Sequence, residues 1–235
     1  MRMRLKGITL TVILAAVYAV LSFLPGFPVI GVSGSKIDVA RSLEIIYGLV
    51  LGPVLGPFTA FLGAIVGKTL AGGGIGLFFT PLAIVSSFMA AAMNRRKFSK
   101  LGGWIFSATL LAGLIICWYL TPTGRDAPYY PIPHLVGLGM ILLFRGKIME
   151  YLHSRERSRL VLGVLLSSYP STMAGHMLGN LIFMQLSSQS ALFFVSILPI
   201  SIIERVTLTV IATIIGVPLI MMIRSLYPEL FPHDT

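Results

Sequence analysis

The sequence predicts an all-α, polytopic membrane protein, and three observations carry that prediction. Of 235 residues, 56% are hydrophobic and 11% charged, with a mean hydropathy of +0.91; a soluble domain carries about 25% charged residues. The apolar residues lie in long continuous runs, not in the alternating segments of roughly ten residues that a membrane barrel needs. Lys and Arg, which bring the net charge to +10, gather in the short segments between those runs. Such a distribution orients membrane helices. It is not the single basic face that nucleic acid would require, so the lipid bilayer is expected as a partner and nucleic acid is not.

The apolar runs are 8–24, 41–52, 54–70, 76–93, 102–120, 132–144, 160–186 and 191–223. The first follows a basic N-terminus and is not followed by a small-x-small site, so an uncleaved span is expected instead of a signal peptide. The second and third share the steps Gly52-Pro53 and Gly56-Pro57. Proline lacks an amide proton and disfavours helix in the preceding residue, so 51–57 is expected to turn tightly between two short helices. The runs 76–93 and 102–120 each read as a span, whereas 132–144 is short and suits a tilted or partial one. The run 160–186 can cross once. The last, at 33 residues, is too long for one crossing, so Pro199 is expected to start its helix after an interfacial segment. Cys117 lies alone inside an apolar run, which leaves no disulfide framework and no thiolate metal site.

Orientation follows from counting. The segments 1–6, 94–100 and 145–159, with the end past 223, hold 13 of the 18 Lys and Arg residues. With eight crossings all four segments fall on one side, which makes both termini and the basic loops cytoplasmic. The basic residues left over are Lys36, Arg41, Lys68, Arg125 and Arg205, and the acids away from the cytoplasmic segments are Asp38, Glu44, Asp126 and Glu204. In the same scheme all nine lie in external loops or in the outer halves of spans. Ionised groups inside a bilayer are costly and face protein or a water-filled cavity. For Lys36, Asp38, Arg125 and Asp126, snorkelling to the interface fits equally well; Glu44, Lys68, Glu204 and Arg205 lie deeper in apolar runs and point to an outward-open polar cavity.

Local motifs add less. GAIVGKT (63–69) has three residues between its glycines where a phosphate loop needs four, and it lacks the strand-to-helix setting. In AGHMLGN (174–180), His176 and Asn180 share one helix face; a ligand contact and a helix–helix hydrogen bond both fit, and the absence of a second nearby His argues against a metal. No Gly-x-Ser-x-Gly elbow accompanies Ser167, Ser168 and Ser171. Ala15, Ala16 and Ala19 put small residues on the first helix, a pattern used for close helix association.

Taken together, the residues resemble the substrate-binding S component of energy-coupling factor (ECF) transporters, which take up vitamins and related nutrients. The likeness is clearest over 8–97: Ala15-x-x-x-Ala19, PGFP (25–28), KIDVARS (36–42), YGLVLGPVLGPFTAFLG (47–63) with its Gly-x-x-x-Gly-Pro-x-x-Gly signature, and NRRK (94–97). It is most similar to riboflavin-type members. Within 160–223, Asn180 and ILPISIIERVTLTVIATIIG (197–216) are similar to the last two helices of the family. Family members have six helices, so the chain is expected to form a single transmembrane domain, 1–235. That domain is a six-helix S-component-like bundle with about two extra short membrane segments inserted at 102–144.

The resemblance implies an outward-facing pocket capped by the loop between helices one and two, and no enzyme activity or cofactor of the chain's own. ATP is used only by partner subunits, a transmembrane coupling subunit and two ATPases, and the protein sits in the cell membrane. Ala15, Ala16 and Ala19 are then the docking face. The expected substrate-binding residues are Lys36, Asp38, Arg41, Glu44, Tyr47, Thr80, His176, Asn180, Glu204 and Arg205, with Tyr119 as a further contributor. A stand-alone secondary transporter driven by an ion gradient is the rival; it would be expected to carry a mid-membrane acid and inverted repeats. An intramembrane enzyme is the third reading.

Overall fold

The computed structural model describes residues 2–24, 26–28, 36–96 and 101–226, and the fold is helical throughout apart from one short ladder. The helices are α1 (Arg2–Leu21), α2 (Ser42–Leu70), α3 (Pro81–Met93), α4 (Gly103–Leu120), α5 (Pro122–Asp126), α6 (Ile132–His153), α7 (Arg157–Leu186) and α8 (Ala191–Leu226). Between α1 and α2, β1 (Phe27–Pro28) pairs antiparallel with β2 (Lys36–Ile37), with Phe27 opposite Ile37 and Pro28 opposite Lys36. Short 3-10 turns, Val39–Arg41 and Gly74–Phe79, lead into α2 and α3. Stretches long and apolar enough to cross a bilayer are Val39–Leu70, Gly74–Met93, Gly103–Leu120, Ile132–His153 and Ala191–Leu226.

α2 is a hairpin. Gly52 has φ 80° and ψ −171°, a conformation that only glycine adopts without strain, and the chain reverses there. Asp38, before the first arm, consequently meets Lys68, near the end of the second, at 3.7 Å. The other glycines of the signature close the hairpin and seat it. A Cβ on Gly56 would lie 2.7 Å from the Tyr47 carbonyl oxygen, and one on Gly48 would lie 2.0 Å from the Ser87 carbonyl oxygen of α3. Small residues therefore bring three stretches of backbone into direct contact, the packing that membrane helices use where lipid offers no hydrophobic drive.

The contacts sort into two ends. At the first, the Asn94 amide donates to the Leu49 carbonyl at 2.9 Å, and Arg224 donates to the carbonyls of Leu152 and Ser154. Arg95 borders Gly52, Gly103 packs on the carbonyls of Ala92 and Arg95, and the Arg145 guanidinium lies 5.4 Å from the Trp104 ring centre. This is the basic end. At the opposite end lie Asp38, Arg41, Glu44 and Lys68, the Phe79 carbonyl, and the Trp118, Tyr130 and Phe194 rings packed 4.7–5.6 Å apart. The described chain passes between the ends eight times: α1, the two arms of α2, 74–93, α4, α6, α7 and α8.

Three expectations change. The segment 132–144 is part of a full-length helix, α6, which continues through 145–153. An apolar run ends where charge begins, but a helix continues into the interface because Lys and Arg are good helix formers and snorkel. The basic segment 145–159 is accordingly two helix ends joined at 154–156, not a loop. Pro199 does not begin the last helix, since α8 runs unbroken from Ala191 and contains both Pro199 and Pro218. Phe193 and Phe194 anchor its first turns against Phe183, Trp118 and Tyr130, and that packing outweighs the one lost hydrogen bond.

Candidate functional site

The mixed-charge end is built from segments distant in sequence. The turn before α2 places Asp38, Arg41 and Glu44 on successive turns of helix, all buried. Glu44 accepts the Tyr18 hydroxyl of α1 at 2.9 Å and lies 3.9 Å from Arg41 Nε, beyond hydrogen-bond distance. Arg41 Nη2 donates to the Phe79 carbonyl at 3.3 Å, and Lys68 closes on Asp38 at 3.7 Å. Every cation of this group has an acid or a carbonyl nearby, yet each contact is long.

α7 and α8 contribute facing polar rows. On α7, Ser168, Thr172, His176 and Asn180 recur at every fourth residue, and on α8 so do Ser201, Arg205, Thr209 and Thr213. Residues four apart share a helix face. The rows touch where Arg205 Nη1 approaches Thr172 Oγ1 at 3.5 Å, while Nη2 reaches its neighbour Glu204 at 3.3 Å. Thr209 and Thr213 bond back to the carbonyls one turn earlier. Arg205 Nε, Asn180 Nδ2 and Ser168 Oγ are buried without a hydrogen-bond partner. Buried polar atoms are normally paired, and these three are exceptions along the α7–α8 seam.

α6 supplies the third component. His134 Nε2 and His176 Nδ1 lie 3.2 Å apart with rings within 9° of parallel, forming one flat imidazole pair. Tyr130 sits beside both rings at 6.0 and 6.3 Å, and its hydroxyl lies near Ser201 and Asn180 without hydrogen-bond geometry to either. Arg41 is within electrostatic reach of His176, Glu204 and Arg205, so the α2 charges and the α7–α8 rows form one cluster. Among the described residues no three His, Cys, Asp or Glu side chains are placed to hold a metal ion.

Of the residues expected from sequence, Asp38, Arg41, Glu44, His176, Asn180, Glu204 and Arg205 converge. The Lys36 side chain lies outside the described residues, and its backbone is in β2, two residues before Asp38. Tyr47 is engaged elsewhere: its hydroxyl donates to the Leu14 carbonyl at 2.6 Å, tying α2 to α1. Thr80 caps its own turn by donating to the Leu77 carbonyl at 2.8 Å, one residue from the Phe79 carbonyl that Arg41 uses. Tyr119 donates to the Pro128 carbonyl, and Arg125 and Asp126 are exposed on α5, apart from the cluster.

The docking residues also change. Ala15 and Ala19 are buried inside the chain, where they and Tyr18 pack on Gly63 and Gly67 of α2. Ala15-x-x-x-Ala19 and Gly63-x-x-x-Gly67 are two halves of one small-residue contact, so Ala15 and Ala19 present no surface to another subunit. Ala16 remains exposed, in line with Val12 and Val20. The sequence reading missed Tyr18, Tyr130, His134, Thr172 and Ser201. For His134 a signal existed, a histidine opening an apolar run in PIPHLVG; for the others none stood out.

Over 190 residues, 79% of this chain, the sequence is 33% identical to an uncharacterized protein of Methanocaldococcus jannaschii. The matched region covers 61% of that protein, so the chain spans less than two thirds of its relative's length. No family model matches the chain, and no solved structure matches it.

Proposed function

We propose that the chain is the substrate-binding membrane subunit of an ECF-type importer, capturing a small water-soluble nutrient at the mixed-charge end of the bundle. The observation that carries this is the convergence of Arg41, Glu44, Glu204, Arg205 and the His134–His176 pair, from four helices, around buried polar atoms that lack partners. A merely structural network would be expected to satisfy its own members. On this reading the mixed-charge end faces outward in the cell membrane, and the termini and basic end face the cytoplasm, in line with the distribution of Lys and Arg. The chain hydrolyses nothing; ATP is used by two partner ATPases acting through a coupling subunit, for which the exposed Val12, Ala16 and Val20 row of α1 is the available face.

The supporting experiment is co-expression with candidate coupling and ATPase subunits, purification of the assembly, and mass spectrometry of any retained small molecule. Co-purification with both subunit types supports the proposal. Uptake by the chain alone in ATP-free vesicles refutes it in favour of an ion-coupled secondary carrier. One observation favours that second reading: the polar rows of α7 and α8 continue from Asn180 and Ser201 down to Ser168 and Thr213, a little over three turns into the bundle, where an ion path would run.

A further inference from the structure

We propose that the solute bound at this end carries an anionic oxygen group, a carboxylate or a phosphate, held by the guanidinium fork of Arg205 with Arg41 contributing from the same charge cluster. The proposal rests on the binding role argued above and names the chemistry of its ligand. Arg205 is 1% exposed. A guanidinium offers five N–H donors and no acceptor, yet Nη1 and Nη2 make contacts of 3.5 and 3.3 Å and Nε makes none. Its acidic neighbour Glu204, adjacent on the same helix, meets it through one oxygen only, at 3.3 Å from Nη2. Glu204 therefore does not present both oxygens to the fork, and Nε stays unpaired.

Arg41 has a similar shortfall, with one bond of 3.3 Å to a carbonyl and its acid at 3.9 Å. The acids of the cluster, Glu44 and Glu204, meet Arg41 and Arg205 through single oxygens at 3.9 and 3.3 Å, neither as a bidentate pair, so each guanidinium keeps donors for an added anion. A carboxylate or phosphate supplies the planar pair of acceptors that a guanidinium fork matches. Asn180 Nδ2, a further unpaired donor, is buried in the same cluster, and the parallel His134 and His176 rings, with Tyr130 tilted against them, supply aromatic surface beside it.

The test uses the purified full chain in detergent, with thermal unfolding followed at matched ionic strength. The probes are benzoate and phenyl phosphate as flat anions, benzamide as the neutral analogue and benzylamine as the cation. Saturable stabilisation by benzoate, phenyl phosphate or both is expected, with none from benzamide or benzylamine; which anion acts more strongly separates carboxylate from phosphate recognition. In Arg205→Gln and Arg41→Gln the half-saturating concentration should rise about tenfold or more, the loss expected for a charge-assisted hydrogen bond. Arg205→Lys, which keeps the charge and loses the fork, should also weaken binding and guards against a Gln variant that fails to fold. Equal stabilisation by the neutral or cationic probe, no stabilisation by either anion, or anion binding unchanged in the folded variants overturns the proposal. Anion binding by a chain that never assembles with coupling subunits leaves the ligand assignment intact and removes the importer reading. Assembly around a retained neutral or cationic solute does the reverse.

Discussion

Replacing Gly48 by alanine tests the packing that positions the site. An added Cβ would fall 2.0 Å from the Ser87 carbonyl oxygen, 2.9 Å from the Ser87 carbonyl carbon and 3.1 Å from the Ala91 amide nitrogen. All three are backbone atoms, so no side chain can swing away. Ordinary contact begins at 3.4 Å, so α2 and α3 must separate by roughly 1.4 Å, and a gap of about 1 Å already forfeits up to half of the dispersion energy of the contacts it opens. Overpacking of this kind costs about 1–3 kcal/mol, and the backbone-on-backbone clash places it at the top of that range. At roughly 2–4 °C per kcal/mol for a chain of this size, Gly48→Ala should lower the unfolding temperature by about 6–12 °C. Gly113→Ala is the control, because nothing lies within 4 Å of its Cβ position on α4; there alanine should stabilise by about 0.5–1 kcal/mol through helix propensity. Unfolding is read by tryptophan fluorescence of the purified chain in detergent. A Gly48→Ala protein as stable as the parent would refute the close approach of α2 to α3, and with it the hairpin geometry that brings Asp38 to Lys68.

Tyr18→Phe removes the donor to Glu44 and should cost about 1.5–3 kcal/mol, while Tyr47→Phe removes a neutral bond to the Leu14 carbonyl and should cost about 1 kcal/mol; thermal unfolding of the two variants side by side checks the order. Lys68→Met removes the cation 3.7 Å from Asp38 and should destabilise by up to about 3–5 kcal/mol, part of which Asp38→Asn in the same chain restores; a double-mutant cycle in the same assay measures the coupling, and strict additivity would contradict the pair. Ala15→Trp and Ala19→Trp should disrupt folding by forcing α1 off Gly63 and Gly67, whereas Ala16→Trp should fold normally and impair assembly with a coupling subunit; size-exclusion profiles of the three proteins distinguish these outcomes.

The hairpin at Gly52 was legible in the sequence because its cause is local: two Gly-Pro steps in a run too broken for one helix. The gathering of charge at one end was legible for a different reason. Even numbers of crossings separate the basic loops from the remaining ionised residues whatever the details of packing. The partners of those charges were not legible. His134 and His176 are 42 residues apart and on different helices, and nothing in either neighbourhood says that they touch. The face of α1 shows the same limit. Ala15-x-x-x-Ala19 announces a close contact without saying with what, and its counterpart lay inside GAIVGKT, where Gly63-x-x-x-Gly67 draws the eye as a failed phosphate loop. The unbroken α8 is a tertiary effect as well, because the aromatic contacts that hold residues 191–198 in the helix come from α4, α7 and Tyr130.

The most direct test of the central claim, that the mixed-charge end is a solute-binding site, is mass spectrometry of small molecules released from the purified full chain and from its Arg205→Gln and Glu204→Gln variants. If the cluster binds solute, the parent chain releases a defined small molecule in near-stoichiometric amount, and both variants, still folded by size-exclusion chromatography, lose it. Release of no small molecule by the parent, or equal release by parent and folded variants, would contradict the assignment and leave the cluster as an internal polar network.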